Sequence, residues 1–242
     1  MPELLIRLLL GLTTAVCMLA TARAAPKFED TIAQRVLACS VCHGAQGRAA
    51  PDGYYPRIAG KPAGYLLNQL RNFRDGRRHY ELMEGLVDRL SEDYLQEIAA
   101  YFSALELPYP PPAAPQLTDA QRQRGETLVL RGDAARQLPA CSECHGRAMT
   151  GTAPNVPGLL GLPRDYLNAQ LGAWKTGQRR AHAPDCMAQV ARRLGDDDAA
   201  AITGWLASQP LPRDARAPAV VPARAGTSLA CGSATELGGS AR

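Results

Sequence analysis

The sequence predicts an all-α protein made of two copies of one domain. Residues 54–78, YYPRIAGKPAGYLLNQLRNFRDGRR, match residues 155–179, NVPGLLGLPRDYLNAQLGAWKTGQR. A match of this kind indicates an internal duplication. Apolar residues in both copies recur at steps of three and four, as on one face of a helix. No stretch alternates between apolar and polar residues for long enough to predict a strand.

The first 24 residues predict an export signal. They carry one arginine near the start, followed by an apolar run of roughly 15 residues. They end at Ala22-Arg23-Ala24, a small-x-small cleavage site. A membrane anchor is the alternative, but a span needs about 20 apolar residues. We therefore expect cleavage after Ala24 and a mature protein in the periplasm.

Charge and composition limit the classes of partner. The chain has a net charge of +4, and removal of residues 1–24, which hold two Arg and one Glu, leaves +3. A charge this weak and dispersed does not favour nucleic-acid binding.

Aromatic residues make up 5% of the chain. So few aromatic side chains would fill the core of a small domain poorly, which favours a large apolar prosthetic group.

Composition also divides the chain into segments. The prolines at residues 108–116 predict an extended, semi-rigid linker. The small and polar residues after Pro210 predict a disordered tail, with a helix or strand packed on the body as the alternative. The predicted segments are a signal peptide at 1–24, domain 1 at 25–107, the linker at 108–116, domain 2 at 117–210 and the tail at 211–242.

The last helix of each copy has an apolar face. In the first copy this face follows the N-cap Ser91 and consists of Leu95, Ile98, Phe102 and Leu105. In the second copy the equivalent helix carries Trp205. We expect Trp205 to pack on the helix that starts at Thr118-Asp119, where Gly125 would allow a close approach.

Both copies contain Cys-x-x-Cys-His, which is the attachment sequence of c-type haem. The two thiols can each bond a vinyl group of the porphyrin, and the following His is placed as an axial ligand of the iron. A thiol–disulfide site would not explain the His in both copies, and zinc would need further paired ligands. The sequence therefore predicts two covalently bound haem c groups, attached through Cys39, Cys42, Cys141 and Cys144.

The sixth iron ligand distinguishes an electron carrier from a ligand-binding enzyme. A methionine precedes the last helix of each copy, 40 residues after the haem-site His in the first copy and 42 in the second. These matching positions favour a ligand over a gap-filling core methionine. A bis-His iron involving His79 or His182 is the alternative. The predicted axial pairs are His43 with Met83 and His145 with Met187.

Two further groups of residues allow more than one interpretation. Cys186 and Cys231, the mature cysteines not assigned to haem, could form a disulfide that holds the tail or remain free thiols. Cys186 is also a candidate thiolate ligand, although Leu82 occupies the equivalent position in the first copy. A basic run predicts a solvated helix face, with pairing to haem propionates or to an acidic partner as the alternative. This run comprises Arg71, Arg74, Arg77 and Arg78, mirrored in part by Lys175, Arg179 and Arg180.

Residues 27–210 resemble the dihaem cytochrome c4 family of bacterial periplasmic electron carriers. The resemblance rests on CSVCHG, RIAGKPAGYLLNQLRNFRDGRR, LSEDYLQEIAAYFS, RGDAARQLPACSECHG and GLPRDYLNAQLGAWKTGQRR. It implies two tandem class I cytochrome c domains related by a pseudo-twofold axis, with haem edges close together. It also implies the His/Met pairs above and electron delivery to a terminal oxidase. Trp205 in place of the usual Tyr, the extra Cys186 and the tail depart from the family pattern.

The expected function is electron transport without substrate chemistry of its own. The expected partners are redox proteins: quinol–cytochrome c reductase or a dehydrogenase as donor, and a terminal oxidase or reductase as acceptor. Peripheral association with a membrane is compatible with this reading. One alternative is a cytochrome subunit of a dehydrogenase of the flavocytochrome c type. The other is a dihaem peroxidase, which needs one iron that releases its sixth ligand.

Overall fold

The computed structural model describes residues 29–50, 53–112, 117–219 and 229–237. It divides into a unit that ends at Arg35 and a unit that begins at Val36, and both copies of the repeat lie in the second unit. The expected signal peptide and residues 113–116 of the expected linker lie outside the described residues. The segment boundaries given above therefore stay predictions.

Helices dominate the described residues, which confirms the predicted all-α class. In the N-terminal unit, α1 spans Ile32–Arg35. The first copy contains α2 Leu37–His43, α3 Ala63–Arg74, α4 Glu81–Val87 and α5 Glu92–Ala104. The second contains α6 Asp119–Arg131, α7 Cys141–His145, α8 Arg164–Thr176, α9 Cys186–Arg193 and α10 Asp196–Ser208. The described ranges also contain 3₁₀ turns at Ala45–Gly47, Ala134–Arg136 and Thr235–Leu237.

The structure adds two short strands that the sequence pattern did not predict. β1 at Gly151–Thr152 pairs antiparallel with β2 at Val156–Pro157, with Gly151 opposite Pro157. Two residues per strand are too few to produce a visible alternation of apolar and polar side chains. None of the described helices is both long and apolar enough to cross a bilayer.

The first copy forms its core around α5. The Ser91 hydroxyl accepts a hydrogen bond from the backbone N–H of Tyr94 at 3.3 Å, as expected of an N-cap. Helix α5 packs on α3. Its buried face includes Leu95 and Phe102, as the sequence predicts. Glu92, in the first turn of α5, also pairs with Arg71 and Arg74 of α3.

The second copy is organised by the packing of α6 on α10. Helix α6 begins with a capping box between Thr118 and Gln121. A Cβ atom at Gly125 would lie 2.4 Å from the carbonyl oxygen of Ala201 and 2.8 Å from the Cβ of Trp205. The expected close approach at Gly125 is therefore present, because only a residue without a side chain lets the two helices meet this closely.

After Pro210 the structure describes residues 211–219 and 229–237, and each stretch contacts the second copy of the repeat. The backbone N–H of Ala153 donates to the Pro218 carbonyl at 2.8 Å. Farther along, a disulfide joins Cys231 to Cys186, which settles the open question of these two cysteines. Composition indicates disorder here because the segment has few large apolar residues, but it does not register a covalent cross-link.

Candidate functional site

The histidines of the two Cys-x-x-Cys-His motifs have the same environment. His43 lies at the end of α2 and His145 at the end of α7, and both side chains are buried. The Nδ1 atom of His43 lies 2.8 Å from the Pro56 carbonyl oxygen, and that of His145 lies 2.8 Å from the carbonyl oxygen of Pro157. A carbonyl can only accept, so Nδ1 carries the proton and Nε2 keeps a free lone pair.

Burial also keeps both imidazoles in the form that binds iron. Desolvation lowers the pKa of His43 and of His145. A neutral imidazole with its Nδ1–H anchored on a backbone carbonyl has the tautomer and the orientation of an axial ligand. The local geometry therefore suits the predicted role of both histidines.

The four motif cysteines are free, half-buried thiols. Burial raises the pKa of Cys141 to about 12 and that of Cys144 to about 11, and it also raises the pKa of Cys39. Reactive redox cysteines have a lowered pKa, because the thiolate is the nucleophile. The environment of these thiols therefore argues against a thiol–disulfide exchange site.

A single cavity gathers all four residues predicted for the second site. It has a volume of about 980 Å³, part of it open to solvent, and Cys141, Cys144, His145 and Met187 line it. Two thiols, an imidazole nitrogen and a thioether in one mostly apolar cavity are the groups that a covalently attached haem requires.

Two polar groups in the wall of this cavity fit the carboxylates of a haem. The indole Nε1 of Trp174 is buried and has no hydrogen-bond partner among the described residues. The guanidinium of Arg179 lies over the Trp174 ring, 3.9 Å from its centroid. An unpaired buried donor is costly, and a propionate of the cofactor would satisfy it. The residues present therefore fit a haem.

In the first copy the structure places Met83 near the start of α4. Met83 is half-buried and packs against the cluster of Phe73, Val87 and Leu95. The proximal side contains aromatic residues, with the Tyr55 ring centroid 6.2 Å from that of His43. The Tyr55 ring also faces Tyr80, which packs against the same cluster as Met83. The joint ligation of one iron by His43 and Met83 stays a prediction.

The contacts of the two alternative histidine ligands favour the methionines. His79 is half exposed and faces Glu84, with 3.4 Å between Nδ1 and the carboxylate. His182 lines the cavity of the second site, but its Nε2 lies 3.3 Å from Nη2 of Arg77. Arginine only donates, so this contact occupies the Nε2 lone pair that would bind iron.

Residues at equivalent positions of the repeat join the two copies. Arg78 donates to Gln69 at 3.1 Å and to Gln170 at 2.8 Å. Arg179 donates to Gln170 at 2.7 Å and to Gln69 at 2.9 Å. We call this closed set of four hydrogen bonds the Arg–Gln ring. Because each copy contributes one arginine and one glutamine, the ring has the twofold character that the duplication predicts.

The expectation of a solvated basic face is wrong for Arg78 and Arg179, because the Arg–Gln ring is buried. Arg179 is 5% exposed, and burial together with the neighbouring Arg179 lowers the pKa of Arg78. Neither arginine forms an ion pair within the described part of the chain. Arg71 and Arg74, by contrast, pair with Glu92, so the basic run splits between two roles.

Sequence reasoning missed a buried lysine that links the first copy to the second site. Lys61 donates from Nζ to the Gly158 carbonyl oxygen at 3.1 Å, and burial lowers its pKa to about 7. Gly158 follows Pro157, whose carbonyl holds His145. The equivalent position in the second copy is Leu162. The replacement of a leucine in one copy by a lysine in the other is the feature of the sequence that could have indicated a special role for Lys61.

Comparison with known proteins gives relatives over most of the chain. The chain is 40% identical over 188 residues to a protein of Thiomonas intermedia named thiosulfate dehydrogenase electron acceptor, covering 78% of this chain and 86% of the relative. It is 34% identical over 170 residues to a cytochrome c4 of Pseudomonas aeruginosa, covering 69% of this chain and 82% of the relative. No family model matches the chain.

Two solved structures have similar folds. Reduced recombinant cytochrome c4 from Pseudomonas stutzeri superposes with a TM-score of 0.62 at 30% identity, covering 72% of this chain and 94% of that one. Thiosulfate dehydrogenase TsdBA from Marichromatium purpuratum superposes with a TM-score of 0.63 at 37% identity, covering 72% of this chain and 36% of that longer chain.

Proposed function

The chain belongs to the cytochrome c4 family of dihaem c-type cytochromes, and we propose that it accepts electrons from an exported dehydrogenase of an inorganic sulfur compound. It is an electron-transfer protein with two covalent haem c groups. The observation that carries the proposal is its 40% identity over 86% of a thiosulfate dehydrogenase electron acceptor. This narrows the expected donor from respiratory dehydrogenases in general to one chemical class.

We assign the haem-binding residues as the sequence predicts. Cys39 and Cys42 attach one haem, and Cys141 and Cys144 attach the other. The axial pairs are His43 with Met83 and His145 with Met187. When bound, each haem supplies an iron that cycles between the ferric and ferrous states. The shared cavity of Cys141, Cys144, His145 and Met187 supports this assignment for the second copy.

The protein's own contribution is to hold the irons in a dry and closed environment. The Pro56 and Pro157 carbonyls orient the two histidines, and Met83 and Met187 would supply the second protein ligand of each iron. Met ligation and burial both raise the reduction potential of a haem. Closed sixth positions leave no site for substrate chemistry, so the polypeptide acts as a carrier and not as a peroxidase.

Contacts between the copies support electron passage from one haem to the other. Tyr65 and Gln69 of the first copy line the cavity of the second site. The Arg–Gln ring joins the two copies of the repeat by hydrogen bonds. With both haems bound as assigned, an electron would pass from one copy to the other within this single chain. The final acceptor, in this proposal, is a terminal oxidase or reductase.

The haem assignment is tested by removing one attachment site. Cys141→Ala/Cys144→Ala should reduce the covalent haem from two per chain to one, measured by intact mass and by haem staining. Cys39→Ala/Cys42→Ala is the matched variant of the first copy and should have the same stoichiometry. Retention of two covalent haems in either variant would refute the assignment.

The donor is tested with the oxidised protein, a purified thiosulfate dehydrogenase and thiosulfate, by following haem reduction in a stopped-flow spectrometer. We expect both haems to become reduced, and no reduction when the dehydrogenase or thiosulfate is omitted. Reduction only by quinol–cytochrome c reductase would favour the second candidate, a general carrier of the kind named cytochrome c4, to which the chain is 34% identical.

Location and enzymatic activity need separate measurements. Export predicts a mature N-terminus at Ala25 in the periplasmic fraction, read by N-terminal sequencing. The disulfide between Cys186 and Cys231 supports an oxidising compartment. Carbon monoxide binding by the reduced protein, together with peroxide turnover, would contradict the carrier and favour the peroxidase.

A further inference from the structure

A cross-link anchors the C-terminal segment beside the second haem site. Cys231 is bonded to Cys186, the first residue of α9, and Met187 is the next residue of that helix. We call residues 229–237 the C-terminal strap. The bond ties the strap to the residue that precedes the proposed sixth ligand of the second iron.

Hydrogen bonds hold the strap against elements of both copies. The backbone N–H of Gly232 donates to the Pro184 carbonyl at 2.9 Å. Ser233 accepts through Oγ from the His182 backbone N–H at 3.2 Å, and through its carbonyl from the Asn68 side chain at 3.2 Å. These contacts fix the strap on the loop before α9 and on α3 of the first copy.

Packing and a further polar contact extend this attachment. The side-chain nitrogen of Asn155 donates to both carboxylate oxygens of Glu236, at 3.0 and 3.1 Å. A Cβ atom at Gly232 would lie 2.2 Å from the Ala183 carbonyl oxygen, so the strap approaches this loop as closely as its backbone allows. Ala234 is 3% exposed. The strap is therefore packed on the rest of the chain, with Ala230 and Thr235 exposed.

The strap forms part of the wall of the cavity at the second site. The same cavity that contains Cys141, Cys144, His145 and Met187 is also lined by five residues of the strap. These five are Leu229, Cys231, Ser233, Ala234 and Leu237. Apart from Ser233, their side chains are apolar, and they suit contact with a porphyrin better than contact with water.

The first copy lacks the anchor of such a wall. Leu82 stands where the second copy has Cys186, and it is 58% exposed. The strap contacts Asn68 of the first copy, but its five lining residues face the second site. The disulfide-anchored strap therefore belongs to the second site and has no counterpart at Leu82 in the first copy.

We infer that the C-terminal strap is a wall of the second haem site only, and that the disulfide holds it there to limit the access of water and small ligands to that haem. A cross-link helps because it removes most of the freedom of a segment that has few apolar residues with which to dock. Exclusion of water strengthens the Met187 contact and favours the ferrous state. The inference rests on the proposed assignment of the second haem to Cys141, Cys144 and His145.

The test compares the two haems within one molecule. In Cys186→Ala/Cys231→Ala, hydrogen–deuterium exchange of residues 229–237 should become fast. The affinity of the second ferric haem for added imidazole should rise about tenfold, which corresponds to about 1.4 kcal/mol. The first haem should not change. Met187→Ala, which removes the proposed ligand of the second iron, identifies the signals that belong to the second haem.

Two results would overturn the inference. One is continued protection of the strap without the disulfide. The other is a released strap with unchanged imidazole affinity at the second haem. Glu236→Gln retains the disulfide and weakens the Asn155 contact, so it should shift imidazole affinity in the same direction by a smaller factor even if the double variant folds poorly. Leu82→Ala is the matched control in the first copy and should leave the second haem unchanged.

The strap and the proposed function fail in distinguishable ways. If the strap inference is wrong, both haems still take electrons from the dehydrogenase and the imidazole affinities are unaffected. If the donor proposal is wrong, the strap variants still separate the two haems by imidazole titration. Neither the exchange nor the imidazole measurement depends on electron transfer.

Discussion

Arg78 and Arg179, which hold equivalent positions in the two repeats, pair with each other through their backbones in an antiparallel bridge. Their guanidinium groups share the same two glutamine acceptors, Gln69 and Gln170. The duplication has therefore placed two cations side by side, separated by amide oxygens. Like charges in a buried contact are tolerated only when hydrogen bonds compensate for their desolvation.

We expect Arg179→Gln to weaken the contact between the copies. The change removes one of the two arginine donors of each glutamine, and the loss of these two hydrogen bonds costs about 1–3 kcal/mol in the free energy of unfolding. Chemical denaturation followed by circular dichroism measures the difference. Arg122→Gln, on the exposed side of α6, is the matched control and should have almost no effect. Equal stability of the two variants would contradict a structural role for the Arg–Gln ring.

We expect Trp174→Phe to lower the reduction potential of the second haem. Trp174 lines the cavity, and its indole Nε1 has no hydrogen-bond partner in the part of the chain that the structure describes. In our assignment this nitrogen donates to a haem propionate. Without it, the carboxylate keeps its full negative charge and favours ferric iron, by an amount on the order of tens of millivolts. Spectroelectrochemical titration resolves the two haems.

The first haem is the internal control for this variant. Its equivalent residue is Phe73, which carries no donor, so its potential should stay constant. A potential that changes equally at both haems would indicate a general loss of structure. An unchanged second potential would mean that Trp174 does not serve the cofactor.

Asp198 should give the second copy a stability that depends on acid pH. Hydrogen bonds from Arg124 and then Arg136 lower the pKa of this carboxyl. A depressed pKa stabilises the folded state above the unfolded pKa of about 4, and this stabilisation is lost as the pH falls through the folded pKa.

Asp198→Asn tests this dependence by thermal unfolding across that range. The variant should be less stable than the parent at pH 7 by about 1–3 kcal/mol, and the difference should shrink below pH ~4. Asp196→Asn, on the same helix but fully exposed, should change stability much less. A difference that persists undiminished at low pH would show that the effect of Asp198 is not electrostatic.

Gly125→Ala should destabilise the packing of α6 on α10. The added methyl would lie 2.4 Å from the Ala201 carbonyl oxygen, a backbone atom that cannot rotate away. Overpacking of this kind costs about 1–3 kcal/mol. Gly172→Ala on α8 is the matched control, because no atom of the described residues lies within 4 Å of its added Cβ. The control should be neutral or slightly stabilising, and a neutral Gly125→Ala would contradict the close helix contact.

The sequence by itself determined the duplication, the helical class and the chemistry of the two motifs. Cys-x-x-Cys-His needs only local spacing to place two thiols and an imidazole, and the helical periods of Leu95, Ile98 and Phe102 are equally local. The N-caps Ser91 and Thr118 follow from residue type alone. Each of these features depends on residues within one or two turns, so periodicity and motif rules reach them.

The tertiary structure alone decided the features that join residues distant in sequence. It brought Arg78 to Arg179 and buried a run that looked solvated, because burial depends on what packs against a helix and not on the helix itself. It also showed the disulfide between Cys231 and Cys186, which are 45 residues apart, and it showed that residues of the polar C-terminal segment line the cavity of the second site. Composition describes how much apolar surface a segment can bury, whereas a cross-link and a shared set of hydrogen bonds depend on where the folded chain returns.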